Sequence, residues 1–190
     1  MGGLTMNEAL LLVDIQNDYF EGGNMELHQP EKAAQKAKEV LRVFREKHKT
    51  VIHVQHIANN EGATFFLPDT VGVQIYDDVQ PIANERVIQK HHPNSFLRTN
   101  LLETLKTEKI DQLVICGMMT HVYIDATVRA ASDFGFQCIV IEDACTTKDL
   151  EFQGNLIPAV HAHQSFMSAL EFGDIYATVM SANCFINKSK

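Results

Sequence analysis

The sequence predicts an α/β fold, a three-layer α-β-α sandwich around a six-stranded, mostly parallel sheet. Two observations predict it. Short, nearly continuous apolar runs closed by polar residues or glycine recur along the chain, as strands buried on both faces require. Between them stand stretches whose apolar residues fall at helical spacing, so strands and helices alternate as parallel βαβ units with helices on both sheet faces.

Ala9 to Ile15 (ALLLVDI) is the first such run and the first strand. After Pro30, residues Ala33, Ala37, Val40, Leu41 and Phe44 recur at helical spacing with lysines and glutamates between them, which predicts a helix over one face. Val51 to Ile57 is strand two and Arg86 to Lys90 a short strand three. The loop between them, rich in Gly, Pro, Asp and Asn, spans about 25 residues; that is longer than an ordinary connection and makes it a candidate binding lid. Leu101 to Leu105 suggests a helix and Gln112 to Cys116 (QLVIC) a fourth strand. Thr120 is placed as the N-cap of a helix that ends near Gly135. Cys138 to Ile141 is strand five, a last helix begins around Pro158, and Ile175 to Met180 is strand six. No repeat, low-complexity tract or linker interrupts this order, so residues 1–190 are expected to form a single domain with mobile extreme ends.

The composition narrows the class. A formal charge of −8, with 16 basic against 24 acidic residues and no long basic run, argues against nucleic acid and anionic membranes as partners and favours a small molecule or a protein. Cys116, Cys138, Cys145 and Cys184 lack CxxC or zinc-finger spacing and no signal-peptide pattern opens the chain, so a reduced, cytoplasmic protein is expected. No apolar run approaches the roughly 20 residues that cross a bilayer.

In sheets of this kind ligands sit beyond the carboxyl ends of the strands, which selects a few residues. Asp14 ends the run LLLV, where an ionised carboxylate is costly without a charged or hydrogen-bonding partner. It reads either as a functional acid or as a turn-capping Asp. Lys90 ends strand three and is the natural cation to keep Asp14 ionised, although a lone lysine before a loop is usually solvated. His91 and His92 read as loop residues rather than metal ligands. The segment CGMMTHVYIDATVRAA runs from a strand through a glycine turn into a helix, which aims backbone amides and the positive helix end at whatever binds there. Gln16, Asp18 and Asp125 are read as residues that hold turns and helix starts, and His161 as structural.

Three ordered strings, LLVDIQNDYF, QKHHPNSF and CGMMTHVYIDATVRAASDFGF, with VIEDACTT extending them, resemble the signatures of the isochorismatase-like (cysteine hydrolase) family. The resemblance runs from about Ala9 to His161 and implies that family's Rossmann-like fold. It implies that Asp14 is the catalytic acid/base, that Lys90 is its electrostatic partner, and that Tyr123 stands where relatives carry the nucleophilic cysteine. It further implies an oxyanion hole from the Met119 and Tyr123 amides and a non-proline cis peptide at Met118-Met119.

A phenol of pKa about 10 is mostly protonated at neutral pH, so Tyr123 would serve as a nucleophile only if the helix amino end and Lys90 lowered that value. The cysteines read as small buried hydrophobes rather than substitutes. True isochorismatases also lack the cysteine and use the Asp as an acid with water completing hydrolysis; they resemble one another in having glycine there, a volume that tyrosine would fill. The implied activity is therefore a cysteine-independent hydrolase acting on a small polar molecule, with a catalytically silent binding protein as the alternative. His56, Phe65 and Phe66 are expected in the pocket wall or, alternatively, in ordinary lid packing. Thr120 and His121 join the substrate-binding candidates, although the Met-Thr-His string also serves to shape the turn. HVQHIANNEGATFF lacks the Asp-x-His pair of the zinc-binding relatives, so neither a metal nor another cofactor is expected. The resemblance also implies a homo-oligomer, a dimer or tetramer.

Overall fold

The computed structural model describes residues 6–189; the expectation of mobile ends falls on residues outside them. Six strands form one sheet: β1 (Glu8–Val13), β2 (Thr50–His56), β3 (Arg86–Lys90), β4 (Gln112–Met118), β5 (Gln137–Thr146) and, after a short hairpin of β6 (Leu150–Phe152) and β7 (Asn155–Ile157), β8 (Thr178–Met180). Their spatial order is β3-β2-β1-β4-β5-β8, and every neighbouring pair in this sheet is parallel. The α/β sandwich expected from the alternation is thus the fold observed. The order reverses at β1 and β4, and the loops that follow these two strands flank the switch point where ligands bind in open parallel sheets.

The helices are α1 (Pro30–Glu46), α2 (Leu101–Thr107), α3 (Asp125–Asp133), α4 (Ala159–Glu171) and α5 (Ala182–Lys188). Proline opens α1, and its buried stripe contains Ala33, Ala37, Val40, Leu41 and Phe44, the positions that the spacing selected. Helices α1 and α5 pack together through the stacked rings of Phe44 and Phe185. Both sides of β1 are buried, with Leu10, Leu11, Leu12 and Val13 essentially inaccessible, which is why the run shows no alternation.

Four expectations are corrected. The last strand covers only Thr178–Met180, because Phe172–Asp174 forms a 3-10 turn and residues up to Ala177 approach the sheet without pairing. Strand five runs on to Thr146, and the β6–β7 hairpin and α5 had no counterpart in the reading. Thr120 is not an N-cap: Thr120–Ile124 is a π-turn with Met119 before it, and the Thr120 hydroxyl bonds elsewhere. Cys184 is exposed on α5, unlike the other three cysteines.

Candidate active site

The chain leaves β1 at Asp14 with a φ of 53°, a left-handed backbone that aspartate tolerates better than most residues. Its amide donates to the Val54 carbonyl, 3.0 Å away, fixing the strand end against β2. The side chain caps no turn. Instead Asp14 Oδ2 lies 2.6 Å from Lys90 Nζ, with both side chains wholly inaccessible, and neither carboxylate oxygen receives a hydrogen bond of regular geometry. Burial raises the Asp14 carboxyl to about 6, and Lys90 opposes the rise. Burial likewise lowers Lys90, against the pull of Asp14.

Lys90 also donates to the His92 carbonyl and to Nδ1 of His56, each 3.1 Å away. With Nδ1 accepting, the proton of a neutral His56 belongs on Nε2. Burial and then the neighbouring Lys90 push this imidazole down to about 3, so it is uncharged at neutral pH. The fourth contact of the ammonium is aromatic: it lies 4.1 Å from the centroid of the Tyr123 ring.

Tyr123 separates this pair from a cleft of about 360 Å³ lined by His56, Asn60, Thr64, Phe65, His91 and Pro93 among others. Tyr123 is part of the cleft wall, whereas Asp14 and Lys90 are not. The phenol is pushed up to about 12, by burial first and by Asp14 second. That is the opposite of the lowered value that a phenolate nucleophile needs. No buried cysteine takes its place: burial raises Cys138 and Cys145 to about 12 and Cys116 further.

The loop after β1 is tied to the long loop between β2 and β3 by side chains. The Gln16 carboxamide donates to the His56 and Val73 carbonyls and accepts from the His56 amide, so it splices three segments. Asp18 accepts from the amides of Asn24 and Phe66. The turn-holding roles expected of Gln16 and Asp18 are those observed.

A model of the isochorismatase domain matches residues 8–171. The chain belongs to the isochorismatase family. It is 49% identical over 181 residues to an uncharacterized isochorismatase family protein of Bacillus subtilis, YddQ, covering 95% of this chain and 99% of that one. It is 32% identical to a secreted isochorismatase effector of Verticillium dahliae, over 94% of this chain and 90% of that one. Among solved structures it superposes on a "putative isochorismatase hydrolase" from Oleispira antarctica with a TM-score of 0.92 and 45% identity, covering 98% and 100% of the two chains. An isochorismatase from Pseudomonas putida gives a TM-score of 0.87 at 32% identity, over 94% and 89%.

The remaining substrate-binding candidates divide between two places. His56 and Phe65 line the cleft. Phe66 lies beneath it, fully buried, with its ring centroid 4.7 Å from that of Tyr19 in an edge-to-face arrangement. Thr120 and His121 face the other way. The Thr120 hydroxyl meets the Thr146 carbonyl and His163 Nδ1, and His121 Nδ1 meets the Thr147 hydroxyl at 2.6 Å, with its ring near Phe166. These contacts brace the turn against β5 and α4, and neither residue lines the cleft.

The Met118-Met119 peptide is cis. The Tyr123 amide donates to the Met119 carbonyl at 3.1 Å, so it is spent within the turn and not free for an oxyanion. Tyr19 was missed: its hydroxyl is buried without a regular hydrogen bond, and its pKa is raised by burial, then by Tyr123 and Asp14. The signature string contained it, but nothing in that string says that the phenol turns inward. Among the described residues, no cluster of three His, Cys, Asp or Glu side chains is arranged to hold a metal.

Proposed function

We propose that the protein is a cysteine-independent hydrolase that acts on a small polar molecule, with Asp14 as its acid and Lys90 as the electrostatic partner. The observation that carries this reading is the Asp14–Lys90 pair, 2.6 Å apart and wholly buried at the strands' carboxyl ends. A buried pair seldom stabilises a fold better than well-packed apolar side chains would, so its presence needs another reason. A carboxyl poised near 6 supplies one: it is protonated often enough to give a proton and ionised often enough to take it back. Water is the only co-reactant. The leaving group takes the proton of Asp14, water adds to the other fragment, and the proton that water loses restores the acid.

For Asp14 to reach a molecule in the cleft, the Tyr123 ring has to swing aside. That cover is the observation favouring a second reading, a binding protein that kept the fold and closed the site. The same resemblance supports a homo-oligomer, and the scattered cysteines support a cytoplasmic location.

A hydrolysis screen against amides, N-carbamoyl compounds, esters and isochorismate, run on this protein, Asp14→Asn and Tyr123→Cys, separates the readings. Activity in the unaltered protein that falls about 10²- to 10⁴-fold in Asp14→Asn is expected. As Asp14 acts in its protonated form, the rate should decline as pH rises above about 6. Full activity in Asp14→Asn sinks the proposal. Silence in the unaltered protein with activity in Tyr123→Cys establishes the binding-protein reading.

A further inference from the structure

Between Glu151 and Glu171 the chain carries no Asp, Glu, Lys or Arg. The stretch covers 19 residues, in which a chain that is 21% charged would be expected to place about four. Other uncharged runs are shorter, and 112–124 lacks charge because β4 and the turn after it are largely buried. Burial does not account for this one. It holds the β6–β7 hairpin and nearly all of α4, and Phe152 and Leu156 are 66% and 67% exposed.

A helix at the surface of a monomer normally sets a charged face against its buried stripe. Helix α1 does so, with Glu31, Lys32, Lys38, Arg42 and Glu46 on its exposed side. Helix α4 buries Ala159, Ala162, Met167 and Leu170, yet its exposed row of His161, Gln164, Ser165, Ser168 and Ala169 is small or amphoteric in hydrogen bonding and carries no carboxylate, ammonium or guanidinium. The hairpin that feeds into it through Pro158 has the same character. None of the three β7 side chains is buried, and a two-stranded hairpin is marginal in water unless it packs on another surface. Val160 and Ile157, both exposed, join the hairpin to the helix row.

We propose that α4 and the β6–β7 hairpin form the contact face between two copies of this chain, with α4 crossing its counterpart near the middle of the helix. This rests on the homo-oligomer reading given above and assigns it to a surface. Charge favours a second copy as the occupant. Two molecules of formal charge −8 repel one another, and they approach at least cost through faces that carry no charge of their own. In a two-fold contact the same patch meets itself, so a face rich in one sign of charge opposes its like, whereas hydroxyls and carboxamides both donate and accept and can pair with their own kind. Gln164, Ser165 and Ser168 are of that sort, and the short side chains of Ser165, Ser168 and Ala169 let two helices come close. Leu156 and Phe152 would then be covered by the opposite copy, which supplies the surface that the hairpin lacks in one molecule.

The test is sedimentation velocity of the whole chain at about 50 μM, with Ser165→Glu, Leu156→Glu and, on the charged face of α1, Gln35→Glu beside it. The unaltered protein should sediment as a dimer or a larger assembly. Ser165→Glu sets two carboxylates against each other across the contact and Leu156→Glu does so at its edge, so each should weaken association at least about tenfold and shift mass toward the monomer. Gln35→Glu adds the same charge elsewhere and should leave the assembly unchanged. Both contact positions are exposed in one copy, so circular dichroism of the variants should stay native; Gln164→Glu and Phe152→Glu repeat the two tests should either variant lose it. A 21.4 kDa monomer in the unaltered protein overturns this contact and the homo-oligomer reading together. An assembly that keeps its mass in Ser165→Glu or in Leu156→Glu overturns the contact alone and leaves the homo-oligomer to another surface.

Discussion

Two buried carboxyls of this protein are pulled in opposite directions, and the difference lies in their partners. Asp14 meets a single ammonium and has no regular hydrogen bond, so burial wins and the group sits near 6 rather than 3.8. Burial would raise Glu85 as well, yet bonds from Arg45 and His53, with the Ile82 amide, overcome it and hold that carboxyl at about 2 rather than 4.5. The folded state therefore binds the Asp14 proton more tightly than the unfolded chain does. Its contribution to stability is full below 3.8 and is lost as pH rises through about 6. Glu85 has the opposite sign: its contribution is full above 4.5 and is lost as pH falls toward 2. In Glu85→Gln, urea denaturation between pH 2 and 5 should show a flatter acid limb and about 2–3 kcal/mol less stability at pH 7. An unchanged acid limb would mean that the network does not hold in solution. Asp14→Asn leaves the Lys90 ammonium buried without a counter-charge and should cost about 3–5 kcal/mol, whereas the double variant Asp14→Asn/Lys90→Met should recover part of that loss. The double variant is thus also the folding control for the hydrolysis screen.

At the scale of elements, the site depends on how β4 hands the chain to α3. Gly117 has a φ of 145°, and a Cβ there would stand 2.0 Å from the Val13 carbonyl oxygen, in the strand that delivers Asp14. Gly117→Ala should therefore lower stability by about 3 kcal/mol or more and separate β1 from β4. A denaturation midpoint unchanged by the substitution would contradict that close approach. Beyond the glycine, the amides of Val122, Tyr123 and Ile124 all converge on the Met119 carbonyl, at 3.1–3.2 Å. This wide turn brings the Tyr123 ring over Lys90 while Thr120 and His121 point toward β5 and α4. A helix-start reading of MMTH assumed an ordinary first turn, in which Thr120 caps. The extra residue in the turn changes which side chains face the cleft, and side-chain type alone carries no signal for it.

Over the whole molecule, what was legible follows from burial. Strands buried on both faces write continuous apolar runs, and α1 writes a stripe, so β1, β2, β4 and α1 could be read from residues alone. The β6–β7 hairpin was not legible: Phe152, Leu156 and Ile157 are exposed, and a pair of three-residue strands leaves no periodicity. The end of β8 was blurred because Ile175 is apolar yet exposed. In the site, the residues alone left Asp14 between a functional acid and a turn cap and Lys90 as a lysine of the usual solvated kind, because a strand-end charge does not say whether it is buried; the family resemblance singled out the pair. Their distance apart, the screen that Tyr123 places before them, and the tautomer of His56 depend on contacts between segments far apart in sequence.

The two ties between the loop after β1 and the long loop between β2 and β3 divide that long loop into unlike halves. Gln16 grips the backbone at His56 and Val73, and Asp18 grips it at Phe66. Residues 57–65 hang between His56 and Phe66 and supply Ala58, Asn60, Thr64 and Phe65 to the cleft, while Val73, Ile75 and Val79 beyond them are buried in the core. The short span is itself pinned at its first residue, where the Ile57 amide donates to the Lys90 carbonyl and the Ile57 carbonyl meets His91 Nδ1, so substitutions after Ala58 alter the cleft wall while changes at Ile57 reach the backbone that carries Lys90.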